Sequence, residues 1–122
     1  MSRALLDAFC AAYNRHDLEA LLGMVTDDCV FDMSSGPEPW GARHAGKAAL
    51  RRALPWAWQA WPDARWEEAT HVVAGDRGFS EWTFRGTTAG GVRTEVRGVD
   101  LFTFRDGLIA RKDTFRKTRQ GA

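Results

Sequence analysis

The second half of this chain contains four segments with the composition of β-strands, separated by short turn signals. The turn signals are the pairs Gly75-Asp76, Gly90-Gly91 and Asp106-Gly107. Because glycine and aspartate tolerate the backbone conformations of tight hairpins, neighbouring segments are expected to pair antiparallel. The chain is therefore predicted to end in an antiparallel meander. Its predicted strands are Arg65–Ala74, Gly78–Thr87, Val92–Arg105 and Leu108–Phe115.

The first half of the chain has helical periodicity instead. Asp17 is a candidate N-cap for a second helix, and Pro55 is expected to kink or break a later one because proline lacks the backbone donor. Helices followed by a meander predict an α+β fold in which helices cover one face of the sheet. The apolar stripe of the first helix consists of Leu5, Phe9, Ala12 and Tyr13.

A short strand and a long loop are predicted between these helices. The stretch CVFDM, residues 29–33, has the composition of a strand, and Thr26-Asp27-Asp28 before it is typical of a turn. Residues 34–46 contain two prolines and three glycines, which predicts a loop.

Composition places the chain among ordinary globular proteins. Its 122 residues suit one domain, so we expect a single domain over residues 1–122. With 44% hydrophobic residues it can bury one core, and its net charge of +1 provides no drive toward nucleic acid or an anionic membrane. We therefore expect no nucleic-acid partner and no membrane partner.

The cysteines and histidines predict neither disulfides nor metal. Cys10 and Cys29 make no disulfide framework and lack a CxxC spacing, and no two histidines have ligand spacing. No apolar run is long enough for a membrane span, and the N-terminal segment lacks the apolar core of a signal peptide. A cytoplasmic protein with reduced cysteines and no metal or cofactor is expected.

One acidic residue stands out in the stretch GVDLFTF, residues 98–104. Strand alternation places Asp100 on the same face as Phe102 and Phe104. A carboxylate among aromatic rings is costly unless it is paired, hydrogen-bonded or protonated. Asp100 is therefore a candidate functional residue.

Two stretches of the chain resemble a known family. AYNRHDLEALLGMVTDDCVFD and the closing GVDLFTFRDGLIARKD are similar to the nuclear transport factor 2-like superfamily, and within it to the SnoaL-like and ketosteroid-isomerase-like groups. The resemblance extends from about Ala4 to Phe115. It implies a cone-shaped, curved antiparallel sheet wrapped by N-terminal helices, with an internal pocket. The superfamily includes isomerases, cyclases, epoxide hydrolases, dehydratase-like enzymes and binding modules, so it specifies the fold more closely than the function.

The resemblance also implies catalytic residues. Asp32 matches the general base of the ketosteroid isomerases, and Asp100 matches the acid that those enzymes keep protonated to bond the substrate oxygen. Phe9 stands where that family has its oxyanion-binding tyrosine, and Tyr13, one turn further, is out of register for a simple replacement.

Several further residues are predicted to contact substrate. Trp82 and Phe84 share one strand face and are candidates for the pocket wall. Asp113 either completes the site or forms an ion pair with a neighbouring basic residue, and His71 is expected to be a hydrogen-bonded sheet residue. The predicted substrate contacts are Phe9, Tyr13, Trp40, Trp82, Phe84, Phe102 and Asp113.

These residues suggest three functions. The first is a pocket enzyme that uses carboxylate acid/base chemistry on an apolar, carbonyl-type molecule, as an isomerase or a polyketide-cyclase-like enzyme. The second is an epoxide-hydrolase-like or dehydratase-like enzyme in which Asp100 and Asp113 activate water. The third is a non-catalytic ligand-binding or dimerisation domain. The expected partners are a small hydrophobic ligand and a second copy of the chain.

Overall fold

A six-stranded curved sheet with four helices makes up residues 3–120, which a computed structural model describes. The sheet is not closed, and its strand order is β2-β1-β6-β5-β4-β3. The α+β architecture expected from the sequence is confirmed. The helices are α1 (Arg3–Asn14), α2 (Leu18–Leu22), α3 (Lys47–Ala53) and α4 (Pro55–Ala60), and the strands are β1 (Val25–Asp32), β2 (Arg43–Ala45), β3 (Arg65–Ala74), β4 (Arg77–Thr87), β5 (Arg93–Arg105) and β6 (Leu108–Arg116).

The meander forms as the turn signals predicted. Strands β3 to β6 pair in sequence order, and every pair is antiparallel. At the last turn Asp106 has φ 55° and Gly107 has φ 76°, the left-handed conformations that a two-residue hairpin needs. The predicted strand ends are within one residue of the observed ones.

Local signals also explain the helical half. The Asp17 side chain caps α2 by accepting a hydrogen bond from the Ala20 backbone N–H at 3.1 Å. Helix α3 ends at Ala53 and α4 begins with Pro55 at its first position, where proline is tolerated. The predicted break is confirmed.

Two predictions in the segment between the helices are wrong. The predicted turn Thr26-Asp27-Asp28 lies inside β1, which pairs with β6 in parallel and shifts register between Val25 and Val30. The predicted loop over residues 34–46 ends in a short edge strand, β2, where Arg43 pairs with Asp32. Both segments are polar, which favours turns and loops locally, but pairing between β1 and the edge strand β2 makes them strands instead.

The helices cover one face of the sheet but do not fill the space beneath them. Leu6, Phe9 and Ala12 of α1 are buried against the inner face, where they meet Phe31 and Phe102. A second buried cluster consists of Ala64, Trp82, Phe84 and Val96. A cavity remains between α1, α4 and the inner faces of β4, β5 and β6. None of the helices in residues 3–120 is long and apolar enough to span a membrane.

Candidate functional site

The cavity has a volume of about 520 Å³ and a largely aromatic wall. That volume is in the range of small-molecule sites. Among its polar lining residues are some on three neighbouring strands, since Ser80 lies on β4, Asp100 on β5, and Lys112 and Thr114 on β6. Its aromatic wall consists of Phe9, Tyr13, Trp56, Trp61, Trp66, Trp82 and Phe102.

Asp100 is the acid of this cavity, and three donors surround it. Trp82 Nε1 donates to Asp100 Oδ2 at 3.0 Å, and the Thr114 hydroxyl donates to Oδ1 at 2.6 Å. Lys112 Nζ lies 3.5 Å from Oδ1. All of these groups favour a carboxylate that only accepts hydrogen bonds, so the neutral acid expected from the family resemblance does not fit this environment. The compensation that an acid among rings requires comes from Trp82, Thr114 and Lys112.

Lys112 is a buried cation that lines the cavity beside Asp100. Its Nζ donates to Thr114 Oγ1 at 2.8 Å and lies 4.9 Å from the centre of the Phe31 ring. Burial acts to lower the pKa of Lys112, but the Asp100 carboxylate and the Tyr13 hydroxyl outweigh burial and raise that pKa above its ordinary value. Lys112 therefore remains an ammonium group at neutral pH.

Tyr13, the one tyrosine of the chain, completes this cluster from α1. Lys112 Nζ lies 5.5 Å from the centre of the Tyr13 ring. Burial raises the pKa of Tyr13, with Lys112 opposing and Asp100 adding to the shift. The hydroxyl therefore stays protonated and can serve as a hydrogen-bond donor. We call Asp100, Lys112, Tyr13 and Thr114 the polar cluster.

His71 links Ser80 on the cavity wall to the exposed Asp7 of α1. His71 Nδ1 lies 2.6 Å from the hydroxyl oxygen of Ser80, and His71 Nε2 lies 3.4 Å from Asp7 Oδ1. Burial lowers the pKa of His71, while the Asp7 carboxylate opposes that shift. In the neutral ring that results, Nδ1 accepts from the Ser80 hydroxyl and the protonated Nε2 faces Asp7, a tautomer assigned from the contacts. The expectation of a hydrogen-bonded sheet histidine is confirmed.

Cys10 lies on the cavity wall but is not a nucleophile. Burial raises the pKa of its thiol to about 11, and the nearby carboxylates of Asp100 and Asp7 add to the shift. A thiol with this pKa remains protonated at neutral pH. Within residues 3–120, no group of three or more histidine, cysteine or acidic residues is arranged to hold a metal ion.

Asp32 lies away from the cavity, contrary to its expected role as the general base of the pocket. Its side chain is 0% exposed and accepts from Arg43 Nε at 2.8 Å and from Arg111 Nη2 at 2.8 Å. The hydrogen bond from Arg43 lowers the pKa of Asp32, and the charges of Arg43 and Arg111 add to this against the effect of burial. Strand alternation explains the placement, because Phe31 faces Lys112 and its neighbour Asp32 points to the other side of the sheet.

The structure brings only part of the predicted substrate-contact set together. Phe9, Tyr13, Trp82 and Phe102 line the cavity.

Three predicted contacts lie elsewhere, and those predictions are corrected. Phe84 is fully buried in the second core cluster, and Trp40 lies against Arg43 on the outside. Asp113 sits 3.9 Å from Arg111, as the ion-pair alternative expected. Since Asp113 is absent from the cavity wall, the hypothesis in which Asp100 and Asp113 jointly activate water loses its geometric basis.

Comparison with known proteins agrees with this architecture. Residues 6–112 match the SnoaL-like domain. The chain belongs to the SnoaL-like family. A search of curated proteins gave no match.

Several solved structures are similar to this SnoaL-like protein over nearly the whole chain. A candidate polyketide cyclase from Xanthomonas campestris is 24% identical, with a TM-score of 0.81 over 92% of this chain and 87% of its own. A nuclear transport factor 2-like protein of unknown function from Mesorhizobium loti is 32% identical, with a TM-score of 0.76 over 94% and 89% of the two chains. TerC, co-crystallised with polyporic acid, is 21% identical, with a TM-score of 0.78 over 93% and 89%. At under 25% identity, the cyclase candidate and TerC show a shared fold.

Proposed function

We propose that this protein is an enzyme that binds an apolar, carbonyl-containing molecule in the cavity and transfers a proton within it, as an isomerase or a polyketide-cyclase-like enzyme does. The observation that carries the proposal is the polar cluster, in which one carboxylate, one ammonium group and one phenol face a cavity with a largely aromatic wall. The cyclase names among the structural neighbours support the same class. TerC, which was crystallised with polyporic acid, is a neighbour with an organic ligand.

Asp100 is the proton acceptor in this proposal. A carboxylate has room for about four hydrogen bonds, and Trp82, Thr114 and Lys112 leave part of that capacity free. The carboxylate takes a proton from the carbon next to the carbonyl group, which leaves an enolate. Asp100 then returns the proton to another carbon or oxygen of the same molecule, so that the chain ends unchanged.

Lys112 and Tyr13 stabilise the enolate oxygen. Both are donors on the cavity wall, and neither has an acidic partner that fully occupies it, since Lys112 has three hydrogens and Tyr13 remains protonated. A fixed ammonium group and a phenol in a largely apolar cavity stabilise developing negative charge more strongly than water would. Asp100 thus acts as the base, and Lys112 and Tyr13 act as the oxyanion donors.

The test uses hydrogen exchange in a simple ketone. The protein is mixed with 2-tetralone in deuterated buffer, and loss of the proton signal next to the carbonyl is followed by NMR. The wild type is expected to accelerate exchange, and Asp100→Asn to lose roughly 100-fold or more of that acceleration, since a general base contributes about 10²–10⁴-fold. Asp113→Asn is the matched control, because it makes the same change outside the cavity. If 2-tetralone binds and exchanges no faster than in buffer, the protein is a ligand-binding domain and the proposal is wrong.

A further inference from the structure

A second cation lines the cavity beyond the polar cluster. Arg116 follows Lys112 and Thr114 on the same face of β6, and all three side chains border the cavity. Its guanidinium carbon lies 5.0 Å from the centre of the Phe84 ring and 5.5 Å from that of Trp61. Two aromatic rings therefore hold the guanidinium plane at the wall.

Arg116 has no acidic partner within residues 3–120. In that part of the chain no hydrogen bond or ion pair engages its guanidinium, and burial alone accounts for the lowered pKa of Arg116. The other cation of the wall, Lys112, is paired with Asp100. The arginine thus leaves one positive charge of the cavity uncompensated, and a half-buried charge without a partner is unfavourable.

We infer that Arg116 binds a carboxylate of the ligand, so that the ligand of this cavity is an aromatic or polycyclic acid with a carbonyl group at its other end. A guanidinium held flat by rings presents two parallel N–H donors, which match the two oxygens of a carboxylate. Arg116 lies two strand residues from Thr114, the residue bonded to Asp100, or about 7 Å along β6. That separation suits a molecule with one or two fused rings between its carboxylate and its reacting carbon. The inference rests on the cavity being a ligand site, as the proposed function requires.

A pair of probes tests the carboxylate site without any turnover. Binding of 2-naphthoic acid and of 2-naphthamide, which has the same ring system and no charge, is measured by isothermal titration calorimetry. The wild type is expected to prefer the acid by roughly 10- to 100-fold, the range that a charged hydrogen bond of about 1.5–3 kcal/mol provides. Arg116→Gln should remove this preference and leave the affinity for the amide unchanged.

Two further variants complete the test. Arg119→Gln removes an exposed positive charge three residues after Arg116 and outside the cavity wall, so this variant should bind both probes as the wild type does. Arg116→Lys keeps the charge but lacks the planar fork, so an intermediate preference is expected, and this variant replaces Arg116→Gln if the latter does not fold. Equal binding of acid and amide by the wild type would overturn the carboxylate site alone. Failure of both probes to bind would overturn the cavity as a site for bicyclic ligands, and this inference with it.

Discussion

Gly98 lies directly opposite Trp82 in the β4–β5 ladder, and a Cβ atom at Gly98 would lie 2.4 Å from the Trp82 ring. The missing side chain lets the indole lie across β5 and reach two residues along it, where its Nε1 donates to Asp100. The same Cβ would lie 2.7 Å from the backbone oxygen of Phe115, so the backbone cannot easily give way. The glycine at the start of GVDLFTF thus positions a donor for the acid two residues later.

Gly98→Ala is therefore expected to displace Trp82 and break its hydrogen bond to Asp100. The overpacking should lower the free energy of unfolding by about 1–3 kcal/mol, measured by urea denaturation. Gly90→Ala is the control, because its nearest contact would be 3.9 Å away, and it should change stability little. If Gly98→Ala were as stable as the wild type, the close contact between position 98 and the Trp82 ring would be contradicted.

Lys112→Met is expected to be strongly destabilising. It removes the ammonium group beside Asp100 and leaves a buried carboxylate with one donor fewer, which costs about 3–5 kcal/mol when a buried ion pair is broken. The double variant Lys112→Met/Asp100→Leu removes both charges and should recover at least half of that loss. Additive losses in urea denaturation of the single and double variants would show that the two residues do not interact.

Phe9→Tyr tests the alignment of α1 with the cavity. Phe9 borders the cavity, so a hydroxyl added to its ring can project into free space, and the loss of stability should stay below about 1 kcal/mol. Phe31→Tyr is the matched control, since Phe31 is fully buried in the core and outside the cavity wall. There the unpaired hydroxyl should cost about 1–3 kcal/mol. Equal losses for both variants in thermal melts would contradict the placement of Phe9.

Stability should fall as the pH drops from about 7.5 to about 5 because of His71. Burial lowers the pKa of His71 in the folded protein, whereas the unfolded chain has a histidine pKa near 6.5. The unfolded state therefore binds more protons in this range, and the stability from neutral His71 is present above about pH 6.5 and is lost below it.

The charged groups around His71 are Asp7 and Arg3 on α1 and Asp100 on β5. Asp7 and Asp100 raise the pKa of His71 and Arg3 lowers it, and burial is the largest cause of the lowered pKa. His71→Gln should be less stable than the wild type at pH 7.5 but should show a smaller drop between pH 7.5 and 5 in urea denaturation. His44→Gln should keep the wild-type drop. If His71→Gln lost as much stability between pH 7.5 and 5 as the wild type does, His71 would not be the cause of that loss.

We further predict a homodimer that uses the outer face of the sheet. Phe115 is 53% exposed there, and Val72 is 43% exposed on β3. Both side chains point away from the cavity, and a second copy of the chain packed on this face would cover them. Light scattering should show a dimer at tens of micromolar protein, and Phe115→Glu should shift it to the monomer. A monomeric wild type would contradict the prediction.

The sequence predicts the four strands of the meander but not the register of β6. A hairpin without irregularity at Asp106-Gly107 would place Asp113 opposite Asp100. The observed ladder shifts register between Thr103 and Phe104, so that Thr114 lies opposite Asp100 and Lys112 opposite Phe102. One extra residue in β6 moves alternate side chains to the other face. No turn signal marks this bulge, so the sequence does not predict that Lys112 faces the cavity and that Asp113 does not.

Asp32 shows a different limit of the sequence. The resemblance that matches Asp32 to the base of the ketosteroid isomerases carries no information about β2. This strand lies where a loop was expected, and it places Arg43 against Asp32. An acid that accepts hydrogen bonds from two arginines is an anchor between strands. The position of Asp100, by contrast, follows from strand alternation, which places it on the inner face with Phe102.

The most direct test of the central claim is a crystal structure of the protein with 2-tetralone bound. The account predicts the ketone oxygen within hydrogen-bonding distance of Lys112 Nζ or the Tyr13 hydroxyl, with the carbon that exchanges its proton facing Asp100. A ketone bound in the cavity with its oxygen turned away from both donors and its reacting carbon away from Asp100 would contradict it.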